Sequence, residues 1–329
     1  MEARIKERYN QEILAEVAAS YALAVDALTP LDGFESFIYE YQKDRQAYIL
    51  RVSHSLRRSP DLIRGEVDFI NMLAVGGVRA ARAVESAGGV LVEVVDDRQG
   101  GQFLATAFEK APGGPLKAED WTPELYVHYG QQIGAMHRLA QGYQPTDSAW
   151  RRPDWDAVSD LDVAAWLPES EARVLARYNE LKAYLDRLPR AREHYGIIHQ
   201  DAHRSNLFVD EQGQITFFDF DDCVYGWFAY DVAIVLFYAL VGHQDMAGFG
   251  HEFMRHFLRG YRQEMEISPY WLAQIPYFLK LREIDLYAVI HRSFDVEHIE
   301  HPWVAMYMDG RKALLEGGVP FVELDWLSL

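Results

Sequence analysis

Asp201, Asn206 and Asp219 are hard oxygen donors spaced along one stretch, Ile197 to Asp222 (IIHQDAHRSNLFVDEQGQITFFDFDD). The stretch reads as a short apolar strand, a polar loop, a second apolar strand, a turn at Asp210-Glu211-Gln212-Gly213, and a third apolar strand ending in acid. Such a hairpin brings all three groups to one edge. Mg²⁺ takes oxygen ligands and keeps several waters, so Asn206 and Asp219 are candidate ligands for Mg²⁺ held against a nucleotide triphosphate. Asp201, five residues before Asn206, would then face a substrate hydroxyl and accept its proton. A rival reading takes His199 and Asp201 as two ligands of a non-haem iron triad, completed by a distant histidine such as His243. That reading leaves Asn206, Asp219, Asp221 and Asp222 unused, and it needs many short strands around the motif.

The elements that must position these groups fall into two parts. Residues 5–25 carry Ile5, Tyr9, Ile13 and Val17 at four-residue intervals, the mark of one helix laid on the body that follows. From Phe37 an alternating pattern, a turn at Lys43-Asp44-Arg45 and the apolar run Ala47–Val52 predict a β-hairpin. Gly33 precedes it, either as an ordinary turn residue or as the start of a loop whose N–H groups hold a phosphate. Ser59-Pro60 caps and opens a helix bearing Leu62, Phe69 and Leu73, with Glu66 on the same face. A carboxylate on a buried stripe needs a cation, and Arg51 in the preceding strand is the candidate, unless both residues lie at solvent edges. Val78–Val84, Val90–Val95 and Gln102–Phe108 predict three more strands, for an antiparallel sheet with a helix on one face.

The Pro- and Gly-rich run Glu109–Pro115 marks a boundary between residues 1–109 and 110–329. Beyond it the chain is mainly helical. Thr122-Pro123 opens a helix in which Gly130 and Gly134 would permit a close helix crossing and His137 reads as a hydrogen-bonded structural histidine. Further helices are predicted near 170–188, 229–241, 246–265 and 276–293, followed by an irregular tail. In the helix 276–293, Asp285 shares a stripe with Phe278, Leu281 and Ala288, whereas Glu283 points away. Asp285 is therefore a candidate, with Asp221 and Asp222, for an acidic pocket that takes an amine-bearing substrate; a salt bridge to Arg282 or Arg292 is the other reading.

Composition narrows the function classes. Against 32 Lys and Arg stand 50 Asp and Glu, a formal net charge of −18. Nucleic-acid partners are not expected, because phosphate contacts need a basic footprint. A negative field suits a cationic small molecule or simple solubility. One cysteine, Cys223, allows no internal disulfide, and no apolar run is long enough for a membrane helix. A reducing, cytoplasmic setting is expected, for a monomer or a homodimer.

With these motifs in place, the chain resembles the aminoglycoside phosphotransferase and choline kinase-type family, which shares the protein-kinase-like fold. The resemblance rests on His199-Gln200-Asp201 followed by Asn206, on Phe217-Phe218-Asp219-Phe220-Asp221, and on the downstream Gly226 and Asp231. Upstream, Tyr48–Val52 is similar to the strand bearing the nucleotide-binding basic residue, Glu66 to its helix partner, and Phe108-Glu109-Lys110 to the interlobe hinge. The likeness covers roughly residues 30–295 and implies an α+β, bilobal fold with a small antiparallel N-lobe and a larger helical C-lobe. It further implies ATP and Mg²⁺ as cofactors and a small-molecule hydroxyl as acceptor. By the resemblance, Asp201 is catalytic, Asn206 and Asp219 hold the metal, and Arg51 held by Glu66 grips phosphates. The backbone of Glu109 and Ala111 would read the adenine, and Gly33 would lie near the phosphates; Asp222 and Asp285 are substrate candidates. The chain departs from the family pattern at Arg51, where protein kinases use Lys, and at Gln200, where the family has Gly. Arg204 is also unusual and is expected to face solvent. Phosphorylation of peptides is not expected, because the chain passes quickly from Asp219 into the helix at Asp231. A nucleotide-binding protein without transferase activity is the other class, although all three catalytic groups are in place.

Overall fold

The computed structural model describes residues 2–157, 162–326 and 328–329. The N-terminal part is an antiparallel sheet of β1 (Thr29–Leu31), β2 (Phe37–Lys43), β3 (Gln46–His54), β4 (Ala83–Val84), β5 (Glu93–Asp96) and β6 (Gln102–Glu109). Strands run in the order β1-β2-β3-β6-β4, with β5 also on β6. The β2–β3 register pairs Lys43 with Gln46, so the turn is Asp44-Arg45 alone. Both residues have positive φ, 50° and 67°, as a twisted two-residue hairpin requires.

Both faces of this sheet are covered, where the sequence predicted one. The predicted N-terminal helix is two, α1 (Ala3–Lys6) and α2 (Gln11–Ser20). Asn10 divides them, because its side chain accepts from Glu12 N and Ile13 N and so caps α2. Ile13 and Val17 pack on Phe103, Ala105 and Ala107 of β6. Leu104 and Phe108, alternate residues of the same strand, join the core on the opposite side with α3 (Pro60–Val75). This period-two alternation explains why β6 is buried along most of its length. Ser59 caps α3 at Leu62 N, as the sequence predicts.

A two-residue strand, β7 (Gly114–Pro115), leaves the N-lobe and pairs with β9 (Leu207–Val209), the strand that follows Asn206. The C-lobe contains α4 (Pro123–Ala140), α5 (Val163–Trp166), α6 (Ala172–Leu185), α7 (Phe228–Leu240), α8 (Met246–Tyr261), α9 (Pro269–Leu272) and α10 (Ile275–Ser293). Gly130 and Gly260 make the α4–α8 crossing. A Cβ at Gly130 would lie 1.9 Å from Phe257 O, and one at Gly260 1.9 Å from Val127 O. The predicted irregular tail instead carries α11 (Pro302–Met308) and α12 (Arg311–Gly317). These helices bury Glu283, which pairs with Arg311 at 2.7 Å and with Lys280, so the residue that pointed away from the α10 stripe points into another buried contact.

The core of the C-lobe continues under α3 without a break. Of the predicted strand Val78–Val84, only its end pairs in the sheet. Residues 79–81 cross instead to Phe217 of β10 (Ile215–Phe217), with Ala81 N on Phe217 O at 2.8 Å and Phe217 N on Arg79 O at 2.9 Å. Among the described residues, no helix is long and apolar enough to cross a membrane.

Candidate active site

Two short ladders carry the candidate groups. β8 (Tyr195–Ile198) pairs antiparallel with β11 (Val224–Trp227), and β9 pairs with β10. Asp201 lies on the loop after β8, Asn206 immediately before β9, and Asp219 just beyond β10. The turn between β9 and β10 is tied by Asp210, whose side chain accepts from Gln212 N and Gln214 N. Asp231, in the first turn of α7, anchors the loop that carries Asp201: it accepts His199 N at 3.0 Å, Gln200 N at 2.8 Å and His137 Nε2 at 3.2 Å. His137 binds Tyr261 through its other nitrogen and is the structural histidine expected.

The structure brings Asp201 and Asn206 into direct contact. Asn206 Nδ2 donates to Asp201 Oδ2 at 2.8 Å and to its carbonyl at 3.0 Å. That commits the nitrogen and leaves Asn206 Oδ1 as the ligating atom. Asp201 Oδ1 takes a 2.6 Å ion pair from Arg282 Nη2, and His203 Nε2 lies 3.3 Å from Oδ2. Burial alone would raise the Asp201 pKa; His203 and Arg282 outweigh it, so the carboxylate is held below its ordinary value. It is therefore a weak base that stays ionised. Arg282 was missed as a site residue, although it stands four residues after Phe278 on the stripe that was read for Asp285.

Asp219 adopts φ +60° and its side chain is 55% exposed, open to the cleft. Its recessed place within the cleft and the neighbouring carboxylates Asp221 and Asp222 push its pKa up to about 7 against the pull of Arg51. An acid held up by acidic neighbours favours a bound cation. Two oxygen donors, Asn206 Oδ1 and Asp219, fit an ion that keeps waters and phosphate oxygens as its other ligands. Among the described residues no group of three or more His, Cys, Asp or Glu forms a closed metal cage. The iron-triad reading fails on its own histidine. His199 Nε2 lies 3.3 Å from Phe218 O, and its Nδ1 accepts Asp201 N at 3.4 Å, so both ring nitrogens are committed. His243 contacts Asp245 O in the loop after α7.

Arg51 and Glu66 meet as a buried, two-pronged pair, at 2.8 and 2.5 Å. Arg51 also reaches to 3.7 Å from Asp219. Burial disfavours its charge, yet the carboxylates of Glu66, Asp221 and Asp219 keep it firmly protonated. At the hinge, Glu109 N donates to Arg82 O, so the carbonyl of Glu109 is what remains for a base, beside Ala111. Gly33 is required by its own loop, since a Cβ there would sit 2.2 Å from Ser36 O. Arg204 is exposed, as expected.

The acidic pocket is not open acid. Arg57 pairs with Asp221, and Arg58 with Asp222 at 2.8 Å. Asp285 is 4% exposed and accepts from the Tyr230 hydroxyl at 3.0 Å; it stands behind Arg282 and does not border the cleft. The cleft beside Asp201 holds a cavity of about 210 Å³, bordered by Phe34, Gln200, Asp222, Tyr238, Arg282 and Leu286 among others. Glu35 closes its mouth, pairing with Arg57 of the N-lobe and, at 3.0 Å, with Arg292 of α10. A larger depression of about 660 Å³, by Tyr287 and Met306, borders none of the catalytic groups.

A profile of the phosphotransferase enzyme family matches residues 27–267. Amicoumacin kinase of Bacillus subtilis (strain 168) is 38% identical over 325 residues, 98% of this chain and 96% of that protein. The structure of amicoumacin kinase hAmiN in complex with AMP-PNP, Ca²⁺ and Ami superposes with a TM-score of 0.94 at 36% identity, covering 100% of this chain and 99% of the other. A microcompartment-associated aminopropanol kinase shares the fold at TM-score 0.74 and 24% identity, over 93% and 97% of the two chains. Because the likeness runs the length of both lobes and the spacing of Asp201, Asn206 and Asp219 lies inside it, the chain belongs to the phosphotransferase enzyme family and is a small-molecule kinase with an alcohol acceptor.

Proposed function

We propose that this protein transfers the γ-phosphoryl group of Mg²⁺-ATP to a hydroxyl of an amine-bearing antibiotic of the amicoumacin type. The observation that carries this reading is the near-complete overlap with amicoumacin kinases, at 36–38% identity and a TM-score of 0.94, which takes in the acceptor wall at α10. ATP as donor and a single buried cysteine, Cys223, fit work in the cytoplasm.

In this reading Asp201 accepts the acceptor's O–H hydrogen bond and aims its oxygen along the transfer axis. As that oxygen bonds to the γ-phosphorus, the bond to the β–γ bridging oxygen breaks and ADP departs. The hydroxyl proton passes to Asp201 late, because a loose transition state asks little of the base. That suits a carboxylate whose basicity Arg282 and His203 have lowered. Asn206 Oδ1 and Asp219 would hold Mg²⁺, which would neutralise phosphate charge during transfer. Arg51, whose fork is fixed by Glu66, turns its remaining N–H groups toward the inner phosphates where protein kinases present a lysine. The Glu109 carbonyl and Ala111 N–H read the adenine edge.

The test is mass spectrometry of amicoumacin, ethanolamine, choline and spectinomycin after incubation with enzyme, ATP and Mg²⁺. One added phosphoryl group on amicoumacin is expected, and its absence overturns the reading. Asp201→Asn should lower kcat by about 10²–10⁴-fold and leave the Kd for nucleotide unchanged. Undiminished turnover would remove Asp201 from its role.

A further inference from the structure

Gln200 stands where the family pattern has glycine, and the backbone there still asks for one: φ is +65°. A non-glycine residue holds that conformation only against strain. The side chain is also buried, with 2% of the residue exposed, and it borders the cavity beside Asp201. A polar side chain in a strained, buried position next to the catalytic carboxylate calls for a partner.

The amide oxygen of Gln200, Oε1, is buried and no protein group donates to it. The neighbouring Tyr230 hydroxyl gives its one proton to Asp285 Oδ2 at 3.0 Å and has none left for Gln200. The carboxylates on the cavity wall each have an arginine partner, although Asp222 is paired through Oδ1 alone and its side chain is 47% exposed. Asp201 is paired with Arg282, Glu35 with Arg57 and Arg292, and Asp222 with Arg58.

We propose that Gln200 is a specificity-determining residue of the acceptor site: its Oε1 accepts a hydrogen bond from an amine or ammonium N–H carried close to the hydroxyl that Asp201 orients. The inference rests on the reading of the protein as a kinase of amine-bearing alcohols and names the group that reads the amine. A buried carbonyl without a donor penalises an acceptor that cannot supply one, so selectivity arises from rejection of the des-amino compound as much as from attraction of the amine. A glycine at this position offers the acceptor no such group.

The experiment compares wild type, Gln200→Gly and Gln200→Met on an amine-bearing acceptor and its des-amino analogue at saturating Mg²⁺-ATP. Glycine relieves the backbone strain and methionine keeps the volume without the carbonyl. Both variants should raise KM for the amine-bearing acceptor by about tenfold or more and lower KM for the des-amino analogue, with Kd for nucleotide unchanged. Gln200→Gly should melt no lower than wild type. An unchanged KM for the amine, or equal loss on both acceptors, overturns the inference while leaving the kinase reading standing. A wild type that phosphorylates no amine-bearing alcohol overturns both.

Discussion

Asp201 is surrounded by groups that restrain it. Arg282, His203 and Asn206 all contact its carboxylate. Phosphoryl transfer needs placement more than base strength, and Arg282 supplies placement from a helix that is otherwise occupied with packing. Its guanidinium bridges Asp201 and the Tyr238 hydroxyl, each at 2.6 Å. Replacing it by methionine keeps much of the stem and removes the fork. Arg282→Met should therefore lower kcat about 100-fold with the Kd for nucleotide unchanged, as measured by steady-state kinetics and calorimetric titration. An equal loss of nucleotide affinity would place Arg282 in the phosphate site instead.

Among the elements, the segment between α1 and α2 is tied to the sheet through a buried acid. Asp97, in the turn between β5 and β6, accepts from Arg8 at 2.5 Å, from Gln99 N and Gly101 N at 2.7 Å, and meets His54 Nε2 at 3.1 Å. Burial would raise its pKa, but these donors outweigh it and hold the carboxyl well below its ordinary range. A pKa depressed on folding means that the unfolded state binds the proton more readily at acid pH. The stability it contributes is thus present above about pH 4 and is lost as pH falls below that value. Asp97→Asn should cost about 2–3 kcal/mol at pH 7, and the deficit should shrink as pH falls below about 4. Urea denaturation at pH 7, 5 and 3 checks this. A deficit that does not vary with pH would assign the loss to packing.

At the scale of the molecule, the two lobes are stitched rather than hinged freely. Arg152 is 2% exposed and donates to Leu62 O of α3 at 2.8 Å, to Cys223 O at 2.8 Å and to Asp221 O at 2.5 Å. Beside it, a Cβ at Gly65 would lie 2.0 Å from Trp150 O, so α3 is seated directly on the segment that carries Arg152. Glu66, one residue on, is held in position to meet Arg51. Arg152→Met leaves three carbonyls without their donor and should lower stability by about 2–4 kcal/mol, seen as a reduced Tm, and weaken nucleotide binding with it. A reduced Tm with intact nucleotide affinity would separate the stitch from the Arg51–Glu66 pair. On a chain whose net charge is −18, Arg51, Arg57 and Arg58 gather between the lobes, each paired with a carboxylate.

What was legible in the sequence was local. Asn206 and Asp219 flank one hairpin, β9–β10, and Asp201 lies five residues before Asn206 on the loop that leads into it, so strand periodicity and turn chemistry point to the group. Ser59, Thr122 and the β2–β3 turn follow from capping and turn chemistry in the same way. Arg51 and Glu66 are 15 residues apart on a strand and the helix that follows it, close enough for a buried-charge argument to pair them. The acceptor side was decided by tertiary structure. Arg282 meets Asp201 across 81 residues, and Arg57 meets Asp221 across 164. The physical reason lies in α10, which is buried on several sides at once: Arg282, Glu283 and Asp285 are consecutive or nearly so, yet one enters the cleft, one is covered by α11 and α12, and one lies against Tyr230. A helix with a single apolar stripe announces which residues face inward. One packed all round leaves that choice to its neighbours, and only the assembled fold shows that Arg282, with Gln200 beside it, borders the cavity next to Asp201.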